Sequence, residues 1–128
     1  MSYATPLTIS HTWPSHDFGA GAGAVSFKGP KGKRGYIEDI MLACTETFNT
    51  DTTTGKIRIG TGSDADAYAE ADLGATAATD TYVASISDTD AIIDHNLPAD
   101  TQVEVAFISP TGGIPAGIGT VTVIVSWY

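Results

Sequence analysis

Apolar and polar residues alternate with a period of two along most of the chain. Near the start, Thr5, Leu7, Ile9, His11 and Trp13 fall on one parity, while Pro6, Thr8, Ser10, Thr12 and Pro14 fall on the other. Successive side chains of a strand point to opposite faces, so this predicts a half-buried strand whose prolines mark its ends or an edge position. The Gly-Ala repeat from Gly19 to Ala24 supplies no core side chain, and Val25 and Phe27 then mark a short strand. Gly29-Pro30-Lys31-Gly32 reads as a turn.

The longest candidate strand runs from Tyr36 to Phe48, with Ile40, Leu42 and Cys44 on one face and Ile37, Met41 and Ala43 on the other. Glu38 and Glu46 share the first parity, so either the buried part is confined to the middle or a bulge shifts the register. After a Thr-rich turn from Asn49 to Gly55, Ile57 and Ile59 alternate with Lys56 and Arg58, a half-buried strand with a cationic outer face. Strands follow at Tyr82–Ile86, Ala91–His95, Thr101–Ile108 and Gly119–Trp127. Val103, Val105 and Phe107, then Val121, Val123, Val125 and Trp127, alternate most cleanly.

Residues 64–73 break this pattern. Ser63 with Asp66 resembles an N-terminal cap, alanines follow, and Gly74 stands where a helix would end, which predicts one short helix. The whole pattern is about eight strands separated by Gly, Pro, Asn and Asp turns. It predicts an all-β, single-domain antiparallel jelly roll or β-sandwich spanning residues 1–128. No internal repeat is present. A chain of 128 residues buries roughly two thirds of its unfolded surface and needs no covalent staple.

Charge narrows the partners. Fifteen acidic against six basic residues give −9 at neutral pH, which disfavours nucleic acid because that affinity rests on phosphate neutralisation. The single cysteine, Cys44, excludes an internal disulfide framework and a multi-cysteine zinc site. No charged leader precedes an apolar run and no stretch reaches the roughly 20 apolar residues of a membrane span, so the expectation is a soluble product of the cytoplasm.

Chemistry-bearing residues are sparse. Ser10-His11 and Ser15-His16-Asp17 contain the types of a nucleophilic triad, but sequence neighbours on an extended chain point apart. Turn bonding around Pro14 accounts for them, and a turn likewise accounts for His95 before Asn96-Leu97-Pro98. Asp64, Asp66, Glu70 and Asp72 invite a calcium reading, yet the loop lacks the glycine and terminal glutamate of the hand-type site. Gly19, Gly21 and Gly23, and Gly60 with Gly62, lack the spacing and strand-to-helix context of a phosphate loop. The expectation is a non-enzymatic protein without metal or cofactor.

What remains is a localised basic turn. Lys28, Lys31, Lys33 and Arg34 lie within seven residues on an otherwise acidic chain, the pattern of a patch that orients an encounter with an acidic partner. Trp13 beside Pro14 is a candidate aromatic anchor for the same contact. Trp127 and Tyr128, at the end of a β-branched run, are candidates for an oligomer interface.

Several segments together resemble capsid cement or decoration proteins of tailed bacteriophages. They are Lys33-Arg34-Gly35-Tyr36-Ile37-Glu38-Asp39-Ile40, Asp64-Ala65-Asp66-Ala67-Tyr68-Ala69, Leu97-Pro98-Ala99-Asp100-Thr101-Gln102-Val103 and Pro110-Thr111-Gly112-Gly113-Ile114-Pro115-Ala116-Gly117. They cover most of the chain from residue 33, and each is a style of turn and strand rather than a chemical motif. The resemblance implies a jelly roll or related sandwich, made in a host cytoplasm and forming a homo-oligomer, a trimer before a dimer. It further implies binding to the major capsid protein on the outer face of a virion, at subunit junctions of the expanded shell. Two other expectations compete: a carbohydrate-binding jelly roll using Trp13, Tyr68, Tyr82 or Tyr128 as stacking platforms, and a phage tail or head-fibre component.

Overall fold

The alternation resolves into two antiparallel sheets in a computed structural model that describes residues 6–49, 52–85 and 91–128. Among the described residues there are ten strands: β1 (Leu7–Thr12), β2 (His16–Asp17), β3 (Gly23–Phe27), β4 (Gly35–Glu46), β5 (Lys56–Gly60), β6 (Ala69–Asp72), β7 (Thr81–Ser85), β8 (Asn96–Leu97), β9 (Val103–Ile108) and β10 (Ile118–Trp127). One sheet has the order β1-β10-β4-β7, with β2 added to β10 and β8 to β4; the other has the order β3-β9-β5-β6. The pairs β1–β10, β3–β9, β4–β7 and β5–β6 nest inside one another along the chain, like a long hairpin folded across two layers. Pairs β4–β10 and β5–β9 close each layer across that hairpin.

The inward residues are those the alternation marks. Val121, Val123, Val125 and Trp127 of β10 face Val103, Val105 and Phe107 of β9, together with Ile57 and Ile59 of β5, in one buried cluster. Strand β4 resolves its own parity conflict by bulging. Val125 pairs with Ile37 while Ile124 pairs with Asp39, so Glu38 is the extra residue, and both Ile37 and Ile40 reach the core. A second shift passes over Thr45, between Gly119↔Cys44 and Ile118↔Glu46.

The helix expected at residues 64–73 is not formed; the segment makes a turn and then strand β6. Ala69 and Ala71 point inward and are fully buried, while Glu70 and Asp72 sit on the outer side opposite Arg58 and Lys56. Pairing with β5 outweighs the intrinsic helix preference of the alanines. The expected Ser63 cap is replaced by a turn in which Thr61 Oγ1 accepts from the Asp64 amide at 3.0 Å. Two smaller differences follow the same logic: Gly23 and Ala24 join β3, and residues 91–95 form a turn with a single bridge, Ile92 to Ala69, rather than a strand. The expectations for Thr5, for residues 50–51 of the Thr-rich turn and for Ile86 lie outside the described residues.

The basic turn is held at both ends. The Lys33 amide donates to Pro30 O at 3.1 Å, and Gly32 between them has φ 74°, a value that L side chains resist. From across the fold, Asp100 Oδ1 accepts from the Gly32 amide at 2.8 Å.

Candidate partner-binding site

The chain's six cations divide into two groups. On the outer face of the β3-β9-β5-β6 sheet, Lys56 Nζ and Arg58 Nε donate to the two oxygens of Glu70 at 3.0 and 3.1 Å. The other four, Lys28, Lys31, Lys33 and Arg34, have no carboxylate within ion-pair distance among the described residues. Lys28, Lys31 and Arg34 are exposed and Lys33 is half-buried. The basic turn is therefore an uncompensated cationic surface on a chain of charge −9.

At its C-terminal end this turn borders a concave site. Arg34 and Tyr128 extend the β4–β10 ladder by one pair, each amide donating to the other's carbonyl at 2.9 Å. Residues exchanging both bonds carry side chains on the same face, close enough to act together. The next pair, Gly35 and Trp127, points the other way and is buried. Tyr128 thus stays 47% exposed beside the Arg34 guanidinium, while Trp127 is 1% exposed. The opposite wall is β8 and the turn after it, placed there by the Gly35↔Leu97 and Tyr36↔Asn96 pairing. Arg34, Gly35, Asn96, Leu97, Pro98, Ala99 and Tyr128 enclose a pocket of about 380 Å³. Asp100 ties this second wall to the basic turn through Gly32, and Thr101 Oγ1 donates to Ala99 O at 3.1 Å.

No Asp or Glu among the described residues lines the pocket. The two nearest along the chain are Asp94, whose Oδ1 accepts from the Asn96 backbone amide at 3.0 Å and from Asn96 Nδ2 at 3.2 Å, and Asp100, which holds Gly32. Behind Asn96, the rings of Tyr36 and His95 stack at 4.7 Å and 9°, and His95 Nδ1 lies 2.7 Å from Ile37 O, so that histidine is fixed in the wall. A guanidinium, an exposed phenol ring and a wall that includes Pro98 and Ala99 can hold an anionic group next to an apolar one.

Other sequence candidates fall elsewhere. Trp13 is half-buried and packs against the core, its ring 6.0 Å from Phe27. Trp127 belongs to the core of its own chain and presents almost no surface, because β10 places it inward; Tyr128 alone of that pair is available for contact. Tyr68 is buried and Tyr82 half-buried. Asp17 Oδ1 accepts from the Ala20 amide at 3.1 Å, the bonding to nearby backbone expected of it, and His16 Nε2 lies 2.9 Å from Gly21 O. Within the acidic segment, Glu70 is paired with Lys56 and Arg58, and Asp72 Oδ1 accepts from the Gly74 amide at 2.9 Å. Among the described residues, no three His, Cys, Asp or Glu side chains converge as a metal site.

Sequence reasoning singled out Arg34 and Tyr128 separately but missed Asn96, Leu97, Pro98 and Ala99 as a wall. The one available signal was the Leu97-Pro98 turn, and only the β4–β8 pairing brings it to the basic turn. No protein-family model, curated protein or solved structure matches the chain.

Proposed function

We propose that this chain is a non-enzymatic decoration protein of a tailed-phage head, made in the host cytoplasm and docked on the outer surface of the major capsid protein at subunit junctions. The observation that carries the reading is the uncompensated basic turn from Lys28 to Arg34, fixed by Asp100 on a chain of net charge −9. A localised patch of this kind selects one docking orientation and speeds encounter with an acidic surface. The acidic remainder suits a protein outside the shell, since packaged DNA would repel it. The sheet orders β1-β10-β4-β7 and β3-β9-β5-β6, with their nested pairs, support reading the sandwich as a jelly roll, an architecture shared by viral capsid and lectin domains.

In this reading copies act as a homotrimer, so that several weak contacts around a local symmetry axis combine through effective concentration and hold neighbouring capsid subunits together. Antibodies against the protein should label the outside of intact heads in lysates of cells expressing the gene. Labelling confined to tails or fibres moves the protein to those parts of the particle, and no labelling of particles removes the proposal.

The exposed Tyr128 ring beside the pocket favours a second reading as a carbohydrate-binding module. Titration with neutral and acidic oligosaccharides, followed at Tyr128 by NMR, separates the two: saturable shifts there support the module, and their absence dismisses it.

A further inference from the structure

The pocket between Arg34, Tyr128 and the turn at Pro98 is more than a site for charge. A carboxylate needs only the guanidinium, yet the open pocket has about 380 Å³ and one wall includes Pro98 and Ala99. Water against that wall makes poor contacts, and an apolar side chain displacing it gains burial. Arg34 is the one cation that lines the pocket, and Lys28, Lys31 and Lys33 precede it in the same turn, so charge complementarity favours an occupant whose acidic residues lie next to a bulky apolar one.

We infer that the pocket is a docking site for an acidic peptide segment carrying one aromatic or large aliphatic side chain. That side chain fills the space against Tyr128 and Pro98, and a neighbouring carboxylate meets Arg34. The inference rests on the docking role proposed for the basic turn and names the chemistry of the partner there. The site is preorganised. The backbones of Arg34 and Tyr128 are locked by two main-chain bonds of 2.9 Å, and Asp100 joins the basic turn to the opposite wall, so the main chain around the pocket loses little freedom on binding and the exposed Arg34 side chain is the part that must be ordered. The arrangement is that of an interface centre, an apolar anchor in a pocket ringed by charge that governs approach. The apolar anchor supplies most of the affinity and the lysines supply the salt dependence.

The test uses the full chain and three capped peptides, Glu-Glu-Phe-Glu-Glu, Glu-Glu-Ala-Glu-Glu and Gln-Gln-Phe-Gln-Gln, titrated by NMR and calorimetry. The expected result is saturable binding of the first peptide with shifts at Arg34, Asn96 and Tyr128, weakened at least about tenfold by either peptide change. Arg34→Gln, an exposed position, should weaken it similarly. Ala99→Leu fills the pocket and keeps every cation, and it should abolish the preference for phenylalanine over alanine.

Equal binding of the phenylalanine and alanine peptides, insensitive to Ala99→Leu but lost on replacing Lys31 and Lys33 with serine, overturns the inference and leaves the docking role standing. No binding of any acidic peptide, together with particle binding that is indifferent to those lysines, overturns both. Displacement of the peptide from Tyr128 by galacturonic acid at lower concentration than by the alanine peptide overturns the peptide assignment in favour of an acidic sugar.

Discussion

His11 of β1 and Phe27 of β3 stack with ring centroids 4.4 Å apart and 24° between their planes, joining one sheet to the other. His11 also meets Trp127 edge-on at 6.0 Å, and its Nε2 is buried without a hydrogen-bond partner among the described residues. Burial holds the imidazole below its usual value of 6.5, because a charged ring here would lose hydration.

That depression sets a pH dependence. The neutral ring is accepted by the fold and the charged ring is not, so the unfolded chain binds the extra proton first. His11 therefore leaves stability undiminished above about 6.5 and erodes it as pH falls from there toward the lowered folded value. Urea unfolding from pH 7.5 to 5 should show this decline, and His11→Phe should flatten it. An unchanged slope in that variant would show that other groups control the acid limb.

Trp127 supports the same corner. Its ring fills the space left by Gly29 and Gly35, where an added Cβ would lie 2.3 and 2.7 Å from Cζ3. Trp127→Ala should cost about 3–5 kcal/mol by opening a cavity. Trp127→Phe should cost about 1–2 kcal/mol, since it also removes an indole NH that is buried without an acceptor. Gly29→Ala should destabilise by about 1–3 kcal/mol through overpacking. Chemical denaturation measures all three.

Glu70 pairs with both cations of β5 from the neighbouring strand, one oxygen to each, with the three side chains 27–33% exposed. Glu70→Gln should lower stability by about 0.5–1 kcal/mol at low ionic strength, because partly solvated pairs are screened and contribute little. Most of that difference should vanish in about 1 M salt, where the Debye length shrinks to about 3 Å. A loss independent of salt would assign the effect to packing.

Cys44 is 4% exposed, and its Sγ donates to Glu46 O at 3.0 Å. Burial raises the thiol above its usual value of 9.0, so thiolate is scarce at neutral pH. Labelling with a disulfide reagent should be slow on the native protein and fast in denaturant. Prompt native labelling would show that the strand end near Glu46 opens readily.

The strands whose inner positions are β-branched were readable from sequence. Val121, Val123 and Val125 alternate because one face is buried, and the same rule exposed the conflict at Glu38 that the bulge resolves. Strand β6 was not readable: alanines with acidic neighbours favour a helix locally, and only the opposing Lys56 and Arg58 make an extended Glu70 favourable. The basic turn was visible as a charge cluster. Its pocket was not, because Arg34 meets Pro98 and Tyr128 only after strands distant in sequence have paired.

The central claim is that the basic turn docks the chain on a capsid. The most direct measurement is cosedimentation of purified protein with phage heads, comparing wild type with a variant in which Lys31, Lys33 and Arg34 are serine. The account predicts saturable binding of the wild type at physiological salt, and a loss of at least about tenfold in the variant with its fold intact by circular dichroism. Equal binding of the two proteins would contradict it.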